Sequence, residues 1–149
     1  MKQQFVKEYT LKSKPTQRES RQIMDSRAAY EELMAAYNPD TADIYETAVV
    51  LYLNQDNRLK GFMKLGDGGM THVIVDPRLI MMGAIGCKAT AIILSHNHPS
   101  GNPRPSTDDR KLTQKIDAAC KLMDIRLNDH IIIGRGCYYS FLDHGEMPY

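Results

Sequence analysis

The chain has 149 residues, with 19 Lys and Arg against 18 Asp and Glu, a length and balance that suit one domain with its own core. A net charge of +1 gives no global basic field for nucleic acid, and no apolar run reaches the length needed to span a bilayer. Cys87, Cys120 and Cys137 are few, odd in number and widely spaced, so they form neither a disulfide framework nor a CxxC zinc knuckle. They read as small buried hydrophobes in a reducing cytoplasm, and the polar start Met1-Lys2-Gln3-Gln4-Phe5 argues against a secretory signal.

Residues 1–15 are polar with scattered Phe5, Val6, Tyr9 and Leu11, the pattern of an arm or an edge strand. From Thr16 to about Tyr37, Ile23, Arg27, Tyr30, Leu33, Met34 and Tyr37 recur at threes and fours, which predicts a helix ended by Asn38-Pro39-Asp40. The basic residues of these first thirty positions are interleaved with acidic ones and read as a solvated face. Everything from residue 16 to residue 149 reads as a single domain.

Glu46 to Leu53 is rich in β-formers, Asn54-Gln55-Asp56-Asn57 is turn material, and Arg58 to Leu65 resumes the apolar pattern, so a hairpin is expected. Gly66-Asp67-Gly68-Gly69 reads as a loop. No Lys-Ser/Thr follows it, so it is not a P-loop. Asp76-Pro77 is a helix start, with Asp at the N-cap and Pro at the first helical position, and the helix should run to about Gly86. Ala91 to Ser95 is a short apolar strand, and Thr107 to Met123 a helix with Leu112, Ile116, Ala119, Cys120 and Met123 on its buried stripe. His130–Gly134 and Tyr138–Leu142 complete the set as strands around the turn Arg135-Gly136. This order of elements implies an α/β or α+β layer architecture, read here as α/β, a mixed β-sheet flanked by helices on both sides.

The chemistry concentrates between His96 and Asp109. His96 and His98 follow the apolar strand two residues apart, and in an extended chain such side chains share a face. Two neutral imidazoles converging beyond a strand need one more donor to hold a catalytic zinc with an open position. The next carboxylates are Asp108 and Asp109. Ser106 with Asp109 three residues on also resembles a capping box, and the two readings are compatible, because a first-turn carboxylate is fixed in direction by its helix. Gly101 and Asn102 sit where the loop calls for positive φ. His130 reads as a structural residue or one placed behind the ligands, and His72 and His144 as solvated loop residues.

His-x-His-Pro, seven residues and Ser-x-x-Asp together resemble the signature of the JAMM (MPN+, JAB-domain) zinc hydrolases. His96-Asn97-His98-Pro99-Ser100-Gly101 with Pro105-Ser106 resembles the RadC branch, as do Val75-Asp76-Pro77-Arg78, Ala89 to Leu94, Asn128 to Gly134 and Tyr139-Ser140-Phe141. The likeness runs from about Tyr45 to Phe141. It implies the cytidine deaminase-like JAMM/MPN fold and a zinc ion held by His96, His98 and Asp109, the family spacing selecting Asp109 over Asp108. It further implies Glu46 as the general base acting on zinc-activated water, and Ser106 as the donor to the oxyanion. The residues near Gly66 would precede a substrate-facing loop. The function implied is a zinc-dependent metallopeptidase or isopeptidase in the cytoplasm, acting on a peptide or isopeptide. A DNA-repair-associated role without peptidase activity is the alternative that the RadC name brings. Longer members carry a helix-hairpin-helix-like region, whereas these residues offer an arm and one helix and no aromatic-and-basic platform for single strands. A non-catalytic interaction module is the third reading, disfavoured because all five motif positions are present.

Overall fold

The computed structural model describes residues 5–68 and 75–149. Its elements are helix α1 (Ser26–Met34), strands β1 (Thr47–Leu53) and β2 (Leu59–Asp67), helix α2 (Pro77–Gly86), strand β3 (Ala91–Asn97), helix α3 (Thr107–Leu122), and strands β4 (Arg126–Ile133) and β5 (Tyr138–Ser140). The strands form one sheet in the order β2-β1-β3-β4-β5. β1 is antiparallel to both β2 and β3, β3 runs parallel to β4, and β5 returns antiparallel. The α/β fold with a mixed sheet matches the sequence expectation. Among the described residues no helix is long and apolar enough to cross a membrane.

Helices cover both faces. Ala48, Val50, Tyr52, Ile92, Leu94 and Ile132 pack under Ile80 and Ala84 of α2 and Ile116 and Cys120 of α3. Val49, Leu51, Leu53, Ile93, Ile131 and Ile133 pack against Ala28, Ala29 and Leu33 of α1. All seven residues of β1 and of β3 are buried, which is why they read as unbroken apolar runs, whereas the edge strand β2 alternates. Each buried Ile or Leu there contributes about 1.5–3 kcal/mol by leaving water.

The first helix is shorter than its periodicity predicts, beginning at Ser26 and not near Thr16. Asp25 caps it, its carboxylate accepting from the Ala28 N–H at 2.7 Å. The preceding segment is extended and bonds to the hairpin instead. Ile23 N–H donates to Asn57 O at 2.8 Å, Leu59 N–H to Arg21 O at 2.9 Å, and Ser20 Oγ to Leu59 O at 2.7 Å. Arg18 pairs with Glu32 across the helix. A good cap and a partner for the backbone outweigh helical spacing. In the arm, Phe5, Val6, Tyr9 and Leu11 are exposed.

Other boundaries shift in the same manner. β2 continues through Gly66 and Asp67, so the expected loop starts later, and Gly69 and His72 lie outside the described residues. β3 runs on through His96 to Asn97, and β4 starts at Arg126. β5 stops at Ser140, where a turn begins. Cys120 is buried as expected, Cys87 is half-buried, and Cys137 is exposed in the β4–β5 turn. Met123, expected on the buried stripe of α3, is exposed, and Thr113 and Asp117 are buried there.

Asp129 anchors the chain after β5. Its Oδ1 accepts from the His130 N–H at 2.7 Å and the Leu142 N–H at 3.0 Å, and its Oδ2 from the Ser140 hydroxyl at 2.6 Å. Burial pushes its carboxyl up to about 6, against the lowering effect of these three donors. The folded chain thus holds a proton that the unfolded carboxyl, titrating near 3.8, has released. Stability from this group is greatest below pH 4 and falls as pH rises to about 6. Asp129→Asn should flatten that slope in urea titrations run at several pH values. Asp129→Ala should cost about 2–4 kcal/mol by stranding two buried donors, the His130 N–H and the Ser140 hydroxyl.

Candidate metal centre

β3 delivers the two histidines. His96 is its sixth residue, on the face that carries Ile92 and Leu94, and it is buried. His98 follows the strand, with its backbone N–H still bonded to Ile133 O at 2.9 Å. The loop then turns through Gly101 at φ +84, the left-handed conformation expected of it, whereas Asn102 keeps a negative φ, and the chain returns to Ser106. Gly134 lets the β4–β5 turn lie against this loop, since a Cβ there would fall 2.5 Å from Gly101 O and 2.8 Å from Pro103 Cδ.

Ser106 is the N-cap of α3, and the capping box is reciprocal. Ser106 Oγ accepts from the Asp109 N–H at 3.1 Å, and Asp109 Oδ2 accepts from the Ser106 N–H at 2.7 Å. That bond turns the Asp109 carboxylate back towards the strand. Its Oδ1 lies 3.0 Å from His96 Nε2 and its Oδ2 3.4 Å from His98 Nε2, while the two Nε2 atoms are 3.1 Å apart. Asp108, one residue earlier, is exposed and lies by Lys111.

The three donors are the kind a metal ion takes, and their spacing fits one. Bonds of about 2.0–2.1 Å to tetrahedral zinc place neighbouring donors about 3.3 Å apart. Without an ion, two imidazole nitrogens facing each other at 3.1 Å repel unless a proton lies between them. Among the described residues, His96, His98 and Asp109 are the group able to hold a metal.

The electrostatics are those of a donor cluster. Burial pushes the Asp109 carboxyl up, but the facing rings of His96 and His98 outweigh it and hold the carboxyl well below the usual carboxylate range. Burial lowers His98, and its bonds to the Asp109 carboxylate and Asn102 O more than reverse this, leaving it raised. The charge of Glu46 adds to that rise, which places Glu46 within electrostatic reach of the centre. Glu46 immediately precedes β1. Because Ala48 stands opposite His96 in an antiparallel pair, Glu46 comes level with His98. The five sequence-marked residues, Glu46, His96, His98, Ser106 and Asp109, therefore gather at one end of the sheet.

Two residues at this centre escaped the sequence reading. Asn97 alternates to the opposite face of β3 and ties down the chain entering β1. Its Oδ1 accepts from the Thr47 N–H at 2.6 Å, and its Nδ2 donates to Ala42 O at 2.8 Å and Tyr45 O at 3.1 Å. An amide inside a buried strand end must find partners, which was the available signal. Thr113 is the other, behind His96 and beside His130. His130 is fully buried, its Nε2 2.9 Å from His96 Nδ1, so it backs a ligand without joining the donor set. Burial and the charge of His96 push it well below the usual histidine range. His144 is exposed, as expected, yet stacks on Tyr139 at 3.9 Å and bonds Ser140 O.

Fold and site together define a domain that carries a candidate metal centre at the end of a mixed sheet. The RadC-like JAB domain family matches residues 23–146, and the chain belongs to that family. It is 46% identical over 125 residues to a UPF0758 protein of Porphyromonas gingivalis, covering 83% of this chain and 53% of that one. A UPF0758 protein of Haemophilus ducreyi is 50% identical over 96 residues, 64% of this chain and 43% of that one. One from Pasteurella multocida is 46% identical over 95 residues, 64% and 42%. The chain spans about half the length of these curated relatives.

Asn97 supports a direct test. Asn97→Asp keeps the shape and one acceptor but turns an oxygen onto the carbonyls of Ala42 and Tyr45. It should destabilise by about 2–4 kcal/mol at pH 7, at least as much as Asn97→Ala, in chemical denaturation. Equal stability of Asn97→Asp and the parent chain would contradict this account of the loop.

Proposed function

We propose that this chain is a zinc-dependent hydrolase of the metallopeptidase or isopeptidase type. The observation that carries this reading is the convergence of His96 Nε2, His98 Nε2 and the Asp109 carboxylate within 3.0–3.4 Å of one another. Three protein donors of this kind match catalytic zinc, where a fourth position takes water or substrate, and closed structural sites use four. Zinc bound there supplies Lewis acidity and lowers the pKa of a water from about 15.7 to about 7.

The chain's own groups divide the remaining work. Glu46 enters level with His98 and is held there through the Asn97 bonds to the segment before it. In this reading it accepts the proton of the attacking water and passes it to the leaving amine. Ser106 Oγ uses a lone pair on the Asp109 N–H, which leaves its O–H to point towards a developing oxyanion. A hydroxyl fixed by a helix cap meets the demand that such a donor be oriented before reaction. Amide and isopeptide bonds suit a base that must also protonate an amine, which supports a peptide or isopeptide as substrate.

Metal analysis of the purified chain should find about one zinc per molecule, lost in His96→Ala and in Asp109→Ala. Glu46→Gln should keep the zinc and lower hydrolysis of a responsive peptide or isopeptide library member by about 10²–10⁴-fold. Full activity in Glu46→Gln would remove Glu46 from the role of base, and a metal-free parent chain would end the hydrolase reading.

A further inference from the structure

The hydrogen bonds behind His96 form a circuit whose directions can be worked out. Thr113 Oγ donates to Asp109 O at 2.8 Å, and a carbonyl can only accept, so the single hydroxyl proton is committed there. Towards His130 Nδ1, 2.7 Å away, Thr113 Oγ must therefore accept. His130 Nδ1 then bears the ring proton. The neutral ring leaves a lone pair on His130 Nε2, which faces His96 Nδ1 at 2.9 Å. His96 Nδ1 must donate to it, and the lone pair of His96 falls on Nε2, the atom beside Asp109 and His98.

We propose that His130 and Thr113 are positioning residues that fix His96 as its Nδ1–H tautomer and aim Nε2 at the metal centre. The inference rests on the zinc-site reading above. The circuit closes on a second ligand. The Asp109 carbonyl receives the Thr113 proton, while the Asp109 carboxylate is a donor of the centre, so one chain of bonds couples the β3 ligand to the α3 ligand through β4. Both members are inside the core. His130 is fully buried and stacks on Phe141 with ring centroids 4.8 Å apart, and Thr113 is buried on the inner face of α3. The ring cannot turn over without breaking the bond to Thr113. A buried imidazole with an acceptor on one nitrogen and a ligand histidine on the other is a tautomer selector, the part that a carboxylate or carbonyl more often plays behind metal-bound histidines.

Thr113→Val preserves shape and removes the acceptor, and Thr113→Ser preserves the hydroxyl. Chelator competition should show zinc affinity about 10–100-fold weaker in Thr113→Val and within about threefold of the parent in Thr113→Ser. Long-range proton–nitrogen NMR of the zinc-loaded parent chain should show His130 protonated at Nδ1 and bare at Nε2, and this holds whether or not any variant folds. Thermal unfolding without metal checks that both variants keep the core. Parental affinity in Thr113→Val, equal losses in the two variants, or a proton on His130 Nε2 in the loaded protein would each overturn the relay and leave the zinc site standing. A parent chain that takes up no zinc would bring down the site and the relay together.

Discussion

One carboxylate serves two purposes at the mouth of β3, and the centre depends on both. Asp109 Oδ2 closes the N-terminus of α3 by accepting from Ser106 N–H, while its Oδ1 faces His96. The helix therefore cannot form its cap without presenting a donor to the strand. A negative charge in the first turn is also favoured by the helix dipole, which helps hold the group ionised against the cost of partial burial. The position of the residue within the turn decides its role. Asp108, one step round the helix, faces solvent beside Lys111.

Much of this was legible in the sequence because the signals were local. The i, i+2 pair after an apolar run placed both imidazoles, and the Ser106 to Asp109 spacing placed the cap. Pro77 after Asp76 gave the start of α2, where Asp76 accepts from the Arg78 N–H at 2.9 Å. Glu46 was different. At a strand start, a charge is ordinarily a solvated one, and only the family resemblance singled it out. Its level beside His98 comes from the register of β1 against β3, a pairing between residues about fifty apart that no local pattern encodes.

The unreadable parts share a cause, which is competition from distant partners. The periodicity from Thr16 to Tyr37 is genuine, but Ser20, Arg21 and Ile23 give their hydrogen bonds to the hairpin, and Asp25 starts the helix late. Thr113 looked like any polar residue on a helix. It faces inward only because β4 brings His130 under it. Asn97, squeezed between two histidines, is a strand residue pointing the other way, and its partners at 42, 45 and 47 lie far upstream.

The end of the sheet that holds the centre is built differently from the rest of it. Elsewhere β1 and β3 bury apolar side chains on both faces, but β3 ends in the buried Ser95, His96 and Asn97, and β4 buries Asp129 and His130 two steps earlier, level with Ile93 and Leu94. Such groups each cost several kcal/mol if left unpaired, so the region is stable only when its bonds are complete. They are paired in chains. Tyr37 Oη meets Ser95 Oγ at 3.0 Å, Asn97 binds three backbone groups, Asp129 binds three donors, and His130 spans Thr113 and His96. Aliphatic packing would have allowed small repacking motions, whereas directional bonds admit one arrangement of donors. The polar layer gives up hydrophobic stabilisation in exchange for a fixed orientation of His96 and of the chain entering at Glu46. That orientation is what a centre assembled from β1, β3 and α3 requires before any ligand arrives.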